Sequence, residues 1–365
     1  MTFKLYKMQR KKLHWLMGFL FLIANLQAQD IHFTQFYMTP LTLNPGFTGK
    51  FEGTVRLGGI YRDQFRSVIN QKFDDGTESV RNDQFKTPAA WADAPIIKGF
   101  RKKDWIGLGL SFVSDKAGQG NLSYTGIKLA GAYHLALNKK GTTMLSLGIT
   151  YGSITRRIDR NKLRFEDGIL DGNPKGSLDY LAFGTQDQAN ASFSDMDAGL
   201  VLTSQLNKQI DFNIGFSMFH LTEPRSTLAG DSATNKVESA LARRSNVHGR
   251  FNIKTNDRMT ISPMFMYQTM SGADEIQLQT MANYLYDTEK DITLGLGVGY
   301  RMRDAIQILL GFQQKNLQVG FAYDINTSDL SNVSRFRGGF ELAANYIIKI
   351  YKPAVVKPKV LCPRF

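Results

Sequence analysis

One cysteine occurs among 365 residues, Cys362, so no intramolecular disulfide can brace the chain. That thiol lies far from the leader, so it is not placed like the lipid-bearing cysteine of an exported lipoprotein. Long hydrophobic runs are also missing. The longest, residues 13–26, falls short of the roughly 17–25 residues a membrane-spanning helix needs. Beyond the leader there are four histidines, His32, His134, His220 and His248, with no two at metal-ligand spacing, which leaves no zinc-type cluster. The net charge of +13 drops to about +8 without the five basic residues of the leader, and that balance is no signature of a nucleic-acid partner.

What is present begins with an export signal. Lys4, Lys7, Arg10, Lys11 and Lys12 precede the apolar run, and Ala28 supplies a small residue for cleavage, so residues 1–28 read as a signal peptide. The rest of the chain must then live outside the cytoplasm or cross a membrane as strands.

Alternation decides for strands. In residues 105–113, Ile106, Leu108, Leu110 and Phe112 take one face, with Gly107, Gly109 and Ser111 on the other. Residues 143–153 and 291–301 repeat the pattern, and in residues 247–254 the second face carries His248, Arg250, Asn252 and Lys254, too polar for a dry core. Fourteen strands are predicted, at 54–68, 88–98, 105–115, 121–137, 142–157, 195–205, 210–220, 245–255, 258–269, 275–285, 291–302, 305–313, 316–325 and 334–349. The second, with Pro88 and Pro95, is the least regular.

A soluble sandwich alternates too, and the connections separate the cases. If both termini are periplasmic, the periplasmic joints are all short, whereas residues 69–87, 158–194, 221–244 and 326–333 make much longer loops on the other side. That asymmetry is the mark of a transmembrane barrel. Tyr133, Tyr151, Tyr267, Tyr284, Tyr300, Tyr323 and Tyr346 near strand ends fit interfacial girdles, although aromatic packing within strands gives a similar set. The expected fold is all-β: an antiparallel outer-membrane barrel over 54–350, an N-terminal plug or latch over 30–53, and a basic, proline-containing periplasmic tail over 351–365.

The plug is expected because Phe33, Phe36, Tyr37, Met38, Leu41, Leu43 and Phe47 are too apolar to stay solvated. Gln35, Tyr37, Asn44, Pro45 and Gly49 are its candidate partner-binding or plug-fixing residues, since polar side chains among aromatics and an Asn-Pro-Gly turn can hold one compact conformation. The segment serves equally well as a plain seal of the pore.

Signs of chemistry are weak. His134 or His248 could pair with a serine in the lumen, but no sharp nucleophile motif accompanies them. The stretch 167–173 misses calcium-loop spacing, and the Gly-x-Gly repeats at 107–109 and 295–299 lack the strand-to-helix context of a nucleotide site. No catalytic residue, cofactor or metal is expected, and the chain reads as a non-enzyme.

The phrase QDIHFTQFYMTPLTLNPGFTG at residues 29–49 resembles the opening of the PorP/SprF family of Bacteroidetes membrane proteins. LGGIYRDQF at 57–65, GLGLSFVSDKAGQ at 107–119, GAYHLAL at 131–137, FSMFHLTEP at 216–224 and LCPRF at 361–365 extend that similarity over nearly the whole chain. The resemblance implies an outer-membrane component of type IX secretion and gliding motility. Its barrel would anchor or help export a surface protein carrying a C-terminal sorting domain. Implied partners are that secreted cargo or adhesin, a periplasmic OmpA-like or lipoprotein component, and outer-membrane lipid. The alternative is a porin or hydrophobic-solute transporter, in which Arg250, Lys254, Arg301 and Arg337 would make the lumen anion-preferring.

Overall fold

The computed structural model describes residues 30–64, 85–98, 103–117, 121–159, 161, 188–226, 239–328 and 331–350. The signal peptide, the stretch 167–173, the basic tail and Cys362 lie outside the described residues.

Sixteen strands follow one another: β1 Val55–Gln64, β2 Phe85–Lys98, β3 Trp105–Ala117, β4 Leu122–Ala136, β5 Thr143–Asp159, β6 Gln188–Gln205, β7 Ile210–Phe219, β8 Arg225–Ser226, β9 Ser239–Ala240, β10 Arg244–Lys254, β11 Met259–Met270, β12 Ala273–Asp287, β13 Ile292–Arg301, β14 Ala305–Gln314, β15 Leu317–Asn326 and β16 Arg337–Ile348. Fourteen form a closed antiparallel barrel in chain order, while β8 and β9 pair with each other in the connection between β7 and β10. The ring closes where β1 meets β16, in register from Val55↔Ile348 to Asp63↔Phe340. Closure leaves no edge to expose unpaired backbone groups, the condition for strands to cross hydrocarbon.

The faces are inverted relative to a soluble protein. Leu129, Leu296 and Val298 are 67%, 62% and 64% exposed on the outside, whereas His134, Ser146 and Gln307 are fully buried on the inside. Water would not tolerate that outer face, and lipid would. Short joints such as 206–209, 255–258 and 315–316 gather at one end, and the segments 65–84, 160–187 and 220–243 leave from the other.

The strand prediction departs from the structure mainly at strand ends. β6 starts at Gln188, not at 195, because Asn190, Ser192 and Ser194 hold its outward face as exposed polar residues without apolar alternation. The prolines of β2 sit where the ladder tolerates a missing N–H: Pro95 adjoins a register shift against β3, and Pro88 falls between the pairs Lys86↔Lys116 and Ala89↔Val113.

Residues 30–53 run through the lumen. Asp30 lies beside His220 and Arg244 at the long-loop end, Gly49 lies beside Trp105 at the short-turn end, and the chain turns there into β1. The last strand also finishes at the short-turn end, so residues 30 and 350 are at opposite ends of the barrel. The expected periplasmic placement of both termini concerns residues outside those described.

Leu296 sits in the middle of β13 with its side chain on the outer face. Leu296→Arg is expected to destabilise the inserted barrel by about 2–4 kcal/mol, read by denaturant unfolding in phospholipid.

Candidate functional site

The functional candidate is the contact between the luminal segment and the barrel wall. Three single turns shape the segment: a 3-10 turn at Phe36–Met38, an α-helical turn at Pro40–Leu43 and a second 3-10 turn at Pro45–Phe47. Pro40 and Pro45 each open a turn, where a missing N–H costs nothing. The Asn44 side-chain carbonyl caps the last turn by accepting from Gly46 N at 2.8 Å.

At the long-loop end the segment is held by charge. The backbone N–H groups of Thr34 and Gln35 donate to the two oxygens of Glu341, at 2.7 and 2.8 Å. The Thr34 hydroxyl lies 3.0 Å from Asp324 and accepts from Arg301 at 2.7 Å; Arg301 also pairs with Asp304 at 2.8 Å. Beside them, Asp30 bridges Arg244 at 3.2 Å and His220 at 3.0 Å, and the other nitrogen of His220 meets Asp195 at 2.8 Å. Arg62 reaches both Glu341 and the carbonyl of His32.

Midway, Asn44 is fully buried and its amide nitrogen lies 3.1 Å from Leu200 O, 3.0 Å from Phe216 O and 3.1 Å from His248 Nε2. One residue thereby touches three strands, β6, β7 and β10. Gly148, Gly199 and Gly215 make that approach possible. A Cβ on Gly148 would fall 2.2 Å from Pro45, one on Gly199 2.0 Å from the Asn44 side chain, and one on Gly215 2.4 Å from His248.

At the short-turn end, Gly49 takes a positive φ of 71°, donates to Asp93 at 2.6 Å and accepts from Trp105 Nε1 at 3.1 Å. Asp93 in turn pairs with Arg56 at 2.6 Å. Apolar clusters flank the segment, with Phe33, Met38 and Leu41 against Ile60, Ala89 and Trp91 on one side, and Phe36 and Leu43 against Met264, Met281 and Leu309 on the other.

The structure spreads the five predicted residues along the segment and does not gather them into one cluster. Gln35 lies by Glu341, Asn44 and Pro45 at the centre, and Gly49 at the short-turn end. Tyr37 packs its ring 5.8 Å from the Arg250 guanidinium carbon, and its buried hydroxyl has no hydrogen-bond partner among the described residues. The wall residues Asp93, Asp195, Asp197 and Asp324 were missed as anchors. Their signal was present, since each occupies the polar register of its strand, but which side chain faces which is not written in a period of two.

Two sets of residues resemble chemistry. His134 Nδ1 lies 2.8 Å from Ser146 Oγ, yet its Nε2 faces the Thr48 carbonyl at 2.8 Å and the serine is fully buried under the segment. The imidazole therefore serves as a clasp between wall and plug. Asp195, Asp197 and His220 come close enough to hold a metal, but the Lys128 ammonium fills the place at 2.6 and 2.7 Å from the two carboxylates. Of the cations expected to line the lumen, Arg301 is neutralised by Asp304 and Asp324, Lys254 and Arg337 are exposed near strand ends, and Arg250 has no carboxylate within 4.0 Å among the described residues.

A closed barrel with an apolar exterior, a charged interior and a polypeptide filling it defines a plugged outer-membrane β-barrel. The chain belongs to a family of these: the model described as type IX secretion system membrane protein PorP/SprF matches residues 25–346. It is therefore an outer-membrane component of a type IX secretion system. No curated protein matches it. Among solved structures it is similar to the Ralstonia pickettii toluene transporter TbuX, with a TM-score of 0.50 at 11% identity, covering 86% of this chain and 94% of that one. A Pseudomonas aeruginosa FadL homologue has a TM-score of 0.48 at 12% identity, covering 83% and 92%. At such identities the first likeness speaks to fold alone.

Two outcomes follow from the wall contacts. Gly148→Val should leave the barrel folded but displace the plug, raising ion conductance in planar bilayers, whereas Gly131→Val, which faces outward with Leu108 at 3.7 Å, should not. The second concerns pH. Burial works to lower the His220 imidazole, but Asp30 and Asp195 overcome it and push it up to about 9. A raised value stabilises the protonated anchor, so its contribution is complete below about pH 6.5 and is lost progressively as pH rises through about 9. The Tm gap between the chain and His220→Gln should accordingly be widest near pH 6 and close by about pH 9.5.

Proposed function

We propose that this barrel is a closed anchor or receptor of the type IX machinery, holding or helping to export a surface protein that carries a C-terminal sorting domain. The observation that carries the reading is the sealed lumen: residues 30–49 are tied to the wall at both ends and in the middle, an arrangement suited to docking and unsuited to free diffusion. In this reading the short turns face the periplasm, as in other outer-membrane barrels, and β16 ends on that side. A periplasmic OmpA-like or lipoprotein component would meet the short-turn face, and cargo the long loops. The chain performs no catalysis, its luminal histidines being committed to the plug.

A second reading, passage of a hydrophobic solute, is favoured by one feature. At the long-loop end, Ile31, Phe33, Leu41, Val113 and Phe219 form the apolar side of a pocket whose other side carries charged residues such as Lys128 and Arg244.

The test is to remove residues 30–49 while keeping the signal peptide, then measure secretion and surface display of sorting-domain proteins beside the partners that co-purify in mild detergent. Loss of display with the barrel still folded in the outer membrane, and recovery of a sorting-domain protein only with the intact chain, is the expected result. Unchanged display, no co-purifying partner and faster uptake of an apolar solute would move the second reading to first place.

A further inference from the structure

Many cations on the luminal side are matched to carboxylates. Arg56 pairs with Asp93, Arg62 with Glu341, Lys128 with Asp195 and Asp197, Arg244 with Asp30, and Arg301 with Asp304 and Asp324. Lys50 and Arg250 differ, with no carboxylate within 4.0 Å among the described residues. Both line the same cavity of about 250 Å³, set between the luminal segment and the wall at the short-turn end.

The free hydrogen-bonding capacity there points the same way. Arg250 spends its Nε on Asn252 Oδ1 at 2.9 Å, and its two terminal amino groups bond to no described residue. Lys50 reaches only the neutral Ser146 hydroxyl, at 3.1 Å, and burial pulls its ammonium down to about 8 for want of a counter-charge. The Tyr37 hydroxyl is buried without a partner. His248 Nδ1 is also buried and has no partner among the described residues. The acid Asp211 lies beyond 4.0 Å from Arg250, acts on the guanidinium only at longer range and is hydrogen-bonded by Asn252 at 2.7 Å.

Buried polar groups without partners are costly, and the Tyr37 hydroxyl and His248 Nδ1 are two such atoms beside two cations that lack a close counter-charge. A guanidinium fork, an ammonium and a phenol are all donors on the wall of one cavity, and an anion is the ligand that suits them. Around them stand Phe36, Pro40, Leu43, Phe47 and Phe51, which would cover an apolar body and not a hydrated inorganic ion.

We infer that this cavity binds a small organic carboxylate with an apolar body, entering from the short-turn end, its charge held by Arg250 and Lys50 and its body by the plug's aromatic residues. The site is distinct from the docking of a protein cargo and stands whether or not the barrel anchors one.

The experiment is titration calorimetry on the full chain purified in non-ionic detergent, with phenylacetate as the probe and neutral phenylacetamide as its isostere. Phenylacetate should bind saturably and the amide at least about tenfold more weakly. Lys50→Gln and Arg250→Gln should each weaken phenylacetate by about tenfold or more, and the pair together should abolish it, whereas Lys254→Gln, exposed at the strand end, should change nothing. Folding of each variant is checked by heat-dependent gel mobility. The acid-against-amide comparison on the unaltered chain needs no variant to fold. Equal binding of acid and amide, no saturable binding of phenylacetate, or unchanged binding in the folded double variant would each overturn the assignment.

Discussion

The seam between β1 and β16 is the constraint on which the rest of the molecule depends. Hydrocarbon offers no partner to a backbone N–H or C=O, so a membrane sheet is tolerated only when its first and last strands pair. Here that pairing also makes the luminal anchor. Arg62 and Glu341 stand opposite each other across the seam, Glu341 receives the N–H groups of Thr34 and Gln35, and Asn345 on the same strand donates to Met38 O at 2.9 Å. The luminal segment therefore finds its full set of partners only when the ring is closed, and its docking stabilises closure in return.

Closing the ring creates a second demand. Fourteen strands enclose more space than their inward side chains can fill, and the inward side chains are polar. The segment meets both needs. Its short turns leave many backbone groups free for the wall, its apolar side chains fill the gaps between charges, and wall glycines let it approach to contact distance. Such an interior is specific as well as stable, because removing one member of a buried charge pair leaves its partner unsatisfied at a cost of several kcal/mol, roughly 3–5.

This use of polar groups as scaffolding accounts for sets in the interior that resemble catalytic or metal-binding arrangements. The Ser146–His134 pair is closed over by Thr48, and the Asp195–Asp197–His220 set is occupied by Lys128. Charge is balanced so thoroughly near the long loops that the imbalance at Lys50 and Arg250 marks a different purpose. The asymmetry also orients the molecule: a charge-locked end where the segment begins, and a looser, cation-rich end where it leaves for β1.

By itself the sequence determined the number of barrel strands, their faces and the contrast between short and long connections, because alternation with a period of two is local and survives without knowledge of the fold. It also marked residues 30–53 as too apolar to stay in solvent. Where alternation lapses, as at Asn190, Ser192 and Ser194, the strand continued unseen, since backbone pairing with β5 holds it and no lipid selects its side chains. Only the tertiary structure decided that the segment threads the lumen from end to end and which wall residues grip it. The contact of Thr34 with Glu341 joins positions 307 apart, and Asn44 meets His248 across 204. Pairings of that range depend on the curvature and register of a closed ring, which no local pattern encodes.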